Sequence, residues 1–178
     1  MTLSLQALIA RLIVLITALL SGLLGGFTLP GVTPGSGARD ILLPAGVSQA
    51  TYTVVEATDG AGVEQAWPDY AGGVNLSVQA LTDGQLLIAI RTPCNTLNVH
   101  ARAEGSALVP GEVVSTLMAC GDPLRVAAET WLSLSWSPDT GTVGPGFLKS
   151  ERLEVGRTTA GNVTLSSDKG TLVLAPVG

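Results

Sequence analysis

Few side chains in this sequence could carry chemistry, and their spacing can be tested one group at a time. His100 is the one histidine of the chain, so any Ser-His-Asp site would have to use it. Strand alternation places it on a polar face with Asn98 and Arg102, where a solvated imidazole is the ordinary outcome. The nucleophile-elbow pattern G-x-S-x-G is missing, since Gly46-Val47-Ser48-Gln49-Ala50 fails at its last position. Cys94, His100 and Cys120 supply three metal ligands at most, with no paired C-x-x-C spacing. Neither a metal nor another cofactor is therefore expected. Gly144-Pro145-Gly146 is followed by no helix start and reads as a turn rather than a phosphate cradle. The carboxylates are scattered along the chain. Two of them can still meet in space, which leaves open a hydrolase with an unrecognised site. No catalytic residue is assigned.

Cys94 and Cys120 are the only two cysteines. In an oxidising compartment such a pair forms a disulfide, and in a reducing one two buried thiols fit equally well. A bond between them would close a loop worth about 3.5 kcal/mol in the chain-entropy account.

The elements that would position these residues are mostly strands. Thr51 to Ala57 is rich in β-branched residues and ends at Thr58-Asp59-Gly60. From 74 to 80, Val74, Leu76, Val78 and Ala80 alternate with Asn75, Ser77 and Gln79. The turn Thr82-Asp83-Gly84 then returns the chain into Gln85 to Arg91, which predicts a hairpin. Leu97, Val99 and Ala101 alternate with Asn98, His100 and Arg102. Glu104-Gly105-Ser106 turns into Ala107 to Val109, and Val113 to Leu117 is a further short strand. Asn162 to Ser166 and Thr171 to Ala175 flank a second clear turn at Ser167-Asp168-Lys169-Gly170. One helix interrupts them. Asp122 is its N-cap and Pro123 its first residue. Leu124, Ala127 or Ala128, Trp131 and Leu134 recur at helical spacing, with Trp131 as the expected core anchor. The fold class expected is α+β: a small curled antiparallel β-sheet, barrel-like, with one main helix.

An N-terminal apolar helix precedes this domain. From Leu12 to Leu29 there are 18 residues without a charge, and Arg11 stands just before them. As a helix this run would span roughly 27 Å. Residues 1–29 therefore read as a cleaved signal peptide or a retained transmembrane anchor, and a buried soluble helix is the remaining alternative. Either of the first two readings puts the rest of the chain outside the cytoplasm, secreted or held by a single span. Residues 30–47, with Pro30-Gly31, Pro34-Gly35 and Pro44, read as a Pro/Gly linker that does not pack into the domain. The domain would then occupy residues 48–178. Without Arg11 the basic side chains number eight against fourteen acidic ones, a net charge of −6. That balance argues against nucleic acid as a partner.

The order of short motifs carries a resemblance. Cys94-Asn95 opens a strand; Thr116-Leu117-Met118-Ala119-Cys120 leads through Pro123 into a helix bearing Glu129 and Trp131; a last strand pair runs from Leu165 to Leu174. This order resembles the META domain, the family of the bacterial heat-shock protein HslJ. The family's marks fall here on Cys94, Asn95, Thr116, Met118 and Cys120. Residues 137 to 160 look like an insertion relative to it, and the lipid-bearing cysteine of many relatives is missing. The resemblance implies a small barrel-like α+β domain of the bacterial cell envelope, linked to stress tolerance and without established catalysis. The function expected is thus a non-enzymatic exported protein that binds or supports another envelope component. A carrier holding a small ligand in the sheet interior is the alternative, with the unrecognised hydrolase third. The partner is an envelope protein or a small ligand, plus the membrane itself if the N-terminal helix is retained.

Overall fold

The computed structural model describes residues 37–69, 73–116, 118–119, 121–137 and 142–178, of which 134–137 and 142–145 by backbone alone. The expected signal or anchor segment, residues 1–29, lies outside them. Among the described residues no helix is long and apolar enough to cross a membrane.

Ten strands form. They are β1 (Gln49–Asp59), β2 (Asn75–Ala80), β3 (Gln85–Arg91), β4 (Thr96–Glu104), β5 (Ala107–Ser115), β6 (Leu134–Ser137), β7 (Thr142–Pro145), β8 (Leu153–Arg157), β9 (Val163–Ser167) and β10 (Gly170–Pro176). Eight of them close a barrel in the order β1-β10-β9-β8-β5-β4-β3-β2, with every neighbouring pair antiparallel, and β6 and β7 make a separate two-stranded sheet. Closure leaves the barrel itself without a free edge, which answers the edge problem of an antiparallel sheet. The helices are α1 (Ala38–Leu42) and α2 (Pro123–Ser133).

Alternation places the apolar residues inward as expected. Leu76, Val78, Leu86, Ile88, Ile90, Leu97 and Val99 are buried and belong to one continuous core cluster. An eight-stranded barrel is just wide enough for such side chains to fill. The interior-facing positions are therefore occupied by packed side chains.

Two turns explain the register. The β2–β3 hairpin turns through Asp83 and Gly84, both at positive φ (57° and 75°). At the β9–β10 turn, a Cβ on Gly170 would lie 2.0 Å from the carbonyl oxygen of Thr58. Only glycine lets β10 run that close beside β1. Within β5, Pro110-Gly111 does not end the strand, so Ala107–Ser115 is one strand rather than the two expected. The pairing steps from Val99↔Val113 to Ala101↔Pro110, a bulge that absorbs the proline, which has no N–H to give the ladder.

Three expectations need correction. Residues 30–47 are not wholly a linker, because α1 folds within them and buries Ala38, Leu42 and Leu43 in the core. Proline and glycine bracket this short helix instead of preventing it. Tyr52 Oη donates to the Leu42 carbonyl, Arg157 Nη2 to that of Ile41 (3.0 Å), and Ala38 N–H to that of Gly105 (2.7 Å). Residues 137 to 160, read as an insertion, are integral to the barrel among the described residues. They contain β8, needed to close the barrel, and the buried Phe147, Leu148, Leu153 and Val155. Finally, α2 begins at Pro123 with Asp122 Oδ1 accepting from the N–H of Leu124 (2.9 Å), but its buried face is Ala128 and Leu132. Leu124 is exposed. Packing turns the helix so that Glu129 faces inward to meet Asn95.

Candidate functional site

The sequence marks Asn95, Thr116 and Met118 converge on one point. Asn95 is buried between the end of β3 and the start of β4. Its Oδ1 accepts from the Met118 N–H (2.8 Å) and from Thr116 Oγ1 (3.0 Å). Its Nδ2 donates to the Met118 carbonyl (3.2 Å) and to Glu129 Oε1 on α2 (2.6 Å). The Asn95 backbone closes a tight loop with Thr92, whose Oγ1 accepts from the Asn95 N–H at 2.9 Å. An amide has two donors and an acceptor with two lone pairs, so every bond this side chain can make is made. It clasps three segments together: the β3–β4 loop, the strand exit after β5, and α2. Only the backbone of Met118 takes part, for its side chain is 67% exposed. The Asn95 amide itself has no bond left to offer a substrate.

Cys94 adjoins the clasp. Its expected partner Cys120 lies outside the described residues, as does Leu117. His100 is exposed on β4, and the cleft it lines is completed by Gln85, Ala101, Arg102, Val109, Pro110 and Gly111. No serine or aspartate lines that cleft, so the Ser-His arrangement considered from the sequence is not assembled around it. Among the described residues no group of three or more His, Cys, Asp or Glu is placed to hold a metal.

A cleft of about 680 Å³ opens beside α2, and sequence reasoning did not foresee it. Trp131 forms its apolar wall, backed by the fully buried Phe147, on which it stacks with centroids 4.8 Å apart and planes at 17°. Trp67, in the β1–β2 connection, packs against Trp131 at 5.7 Å. Such contacts add about 0.5–1.5 kcal/mol each beyond area burial. Trp131 is thus half-buried, packed against the core beside the buried Ala128 and Leu132 and also part of a surface. The Trp67 indole N–H is buried without a hydrogen-bond partner among the described residues. The rim of the cleft is polar: Asp59, Gln65, Thr130, Asp168 and Lys169. Asp59 Oδ1 is taken up by the N–H groups of Ala61 and Val63, both at 2.9 Å, and Asp168 pairs with Lys169 at 3.4 Å. What the cleft offers a ligand is an aromatic wall with amide, hydroxyl and charged groups around it. The size fits a small-molecule or peptide-segment site.

Barrel and clasp together define the class, a small antiparallel β-barrel domain with one helix pinned to it by a buried asparagine. The chain belongs to the META domain family, the family of HslJ; the family model matches residues 45–135, half of the chain. That span ends before β8, so three of the eight barrel strands lie beyond it. The NMR structure of a protein from Burkholderia xenovorans shares the fold, with a TM-score of 0.51 and 16% identity over 82% of this chain and 92% of that one. A search of curated proteins gives no match.

Proposed function

We propose that this protein is an exported, non-catalytic META domain that binds or supports another component of the cell envelope, in the setting of stress. The cleft beside α2 is the observation that carries this reading. It is a ligand-sized surface with an aromatic wall, while the family's marker residues are consumed in holding the fold. Export is supported by the uncharged run Leu12 to Leu29, which would serve as a signal or a single-span anchor. A Cys94–Cys120 disulfide fits that destination. It is supported by the place of Cys94 beside the clasp, by the sequence position of Cys120 two residues after the clasp's Met118, and by the lack of any free cysteine among the described residues.

A photo-crosslinking residue placed at Thr130 or Lys169 of the full chain, in living cells, tests the binding role. The expected result is one covalent envelope partner, lost when Trp131→Ala removes the wall. No crosslinked partner, together with no envelope or stress phenotype on deletion, would overturn the proposal. Intact mass of the mature protein under non-reducing conditions tests export and the disulfide at once, and two free thiols would remove the latter.

A further inference from the structure

A second surface, distinct from the cleft beside α2 and not dependent on it, lies on the outer face of β1 to β4. Register aligns Thr53, Asn75, Arg91 and Thr96 in one row across four strands. The next row is Thr51, Ser77, Ala89 and Asn98. Small side chains at Ser77 and Ala89 leave a trough of about 340 Å³, lined by Thr51, Asn75, Ser77, Ala89, Arg91 and Thr96. Around Arg91 it adjoins a second cleft of about 530 Å³ that reaches Thr92, Thr116 and Arg125. No aspartate or glutamate lines either one. In a chain of net charge −5 that is a local gap in the negative surface.

Most polar groups of the trough face solvent and have no protein partner among the described residues. Asn75 Oδ1 accepts from Thr53 Oγ1 at 3.0 Å, which leaves its Nδ2 donors over. Among the described residues, the Arg91 guanidinium and the side-chain hydroxyls of Thr51, Ser77 and Thr96 make no hydrogen bond or ion pair. This contrasts with Arg102 and Arg152, which pair with Glu104 and Glu154. A guanidinium fork matches the two oxygens of a carboxylate, and hydroxyls can donate to or accept from ligand hydroxyls in turn.

We infer that this trough is a binding site for a small hydroxylated carboxylate of the sugar-acid class, with the carboxylate on Arg91 and ring hydroxyls on Thr51, Ser77, Thr96 and the Asn75 amide. Affinity is modest, because the site is open to solvent and screened by salt.

The test is an NMR titration of the purified, ¹⁵N-labelled full chain with sodium glucuronate, and in parallel with glucose and with inorganic phosphate. Glucuronate is expected to give saturable shifts at the Arg91 Nε–H, the Asn75 side-chain amide and the backbone amides of Ser77 and Thr96. Glucose, which lacks the charge, should bind about five- to tenfold more weakly, and Arg91→Gln should lose about as much for glucuronate. Ala89→Leu, which fills the trough without touching a donor, should weaken glucuronate binding as well. A well-dispersed spectrum for each variant confirms that it folds. The inference is overturned by an absence of saturable shifts, by glucuronate binding unchanged in Arg91→Gln, or by phosphate binding as tightly as glucuronate.

Discussion

Asn95 and Arg91 stand four residues apart in sequence, at either side of the β3–β4 connection, and their surroundings are opposite. Asn95 is buried and has all four of its side-chain bonds to protein. Arg91 is exposed and has none among the described residues. A buried amide left unbonded would cost the full desolvation of its polar atoms, so folding satisfies it first. An exposed guanidinium carries no such penalty and stays available. The Asn95 side chain is therefore spent on architecture, while the Arg91 guanidinium at the other end of the same short loop is open to solvent.

The strongest way to break this comparison is Asn95→Ala. It leaves the Met118 N–H, the Met118 carbonyl and Glu129 Oε1 without their partner at once. A loss of about 3 kcal/mol is expected, a large share of the roughly 5–15 kcal/mol that holds a typical domain. Urea denaturation should show the midpoint falling with an unchanged slope. A loss under about 1 kcal/mol would mean the clasp is not architectural. Asn95→Asp sharpens the point. It keeps the acceptor for Met118 and Thr116 but sets a second carboxylate against Glu129, so its destabilisation should ease as pH falls and one carboxyl takes up a proton.

The clasp also shows what the sequence could and could not disclose. Period-two alternation located most strands to within a residue or two at their ends, because a one-residue slip would turn Leu76, Ile88 or Val99 to solvent. Barrel closure was only partly legible. β8 pairs with β5 through just two residue pairs, Ala107↔Glu154 and Leu108↔Leu153, and such a long-range seam leaves no local signal. The motif order brought Asn95, Thr116 and Met118 to notice, yet spacing could not show that a backbone rather than a side chain of Met118 is used. α1 was missed because its five residues are too few for a periodic signal and are flanked by proline and glycine. The cleft beside α2 was missed for a related reason. Trp131, Phe147 and Asp168 come from three separate elements and meet only in the folded chain.

A third polar contact asks whether burial alone sets the rule. Tyr52 is buried and its hydroxyl donates to the carbonyl of Leu42, which is itself fully buried. Tyr52→Phe should therefore behave like the clasp, in miniature, and cost about 1–2 kcal/mol. Burial raises the Tyr52 phenol above its ordinary value of 10.0, against a smaller opposing pull from Arg157. The sign follows from linkage: the unfolded chain loses this proton first, so the contribution is whole below pH 10 and is lost as pH rises from there through the folded value. Denaturation of both proteins at pH 8 and near pH 11 should show a steeper alkaline loss in the native sequence than in the Phe variant. Equal losses would separate Tyr52 from the clasp and confine the rule to Asn95.

The smallest effect is expected at Arg91, and it is the one that makes the comparison exact in energy rather than in geometry. Arg91→Ala removes a charge with no protein partner among the described residues, from an exposed position at the end of β3. Its aliphatic stem covers some sheet surface, and its charge offsets part of a net −5. Both contributions are minor, so stability should change by less than about 0.5 kcal/mol, within the range of ordinary surface substitutions. The same urea experiment measures it. A loss of about 2 kcal/mol or more would mean that Arg91 holds the fold as Asn95 does, and the trough would then be part of the architecture. A negligible change in stability, with binding weakened in the glucuronate titration, places the two residues in separate roles on either side of one short loop.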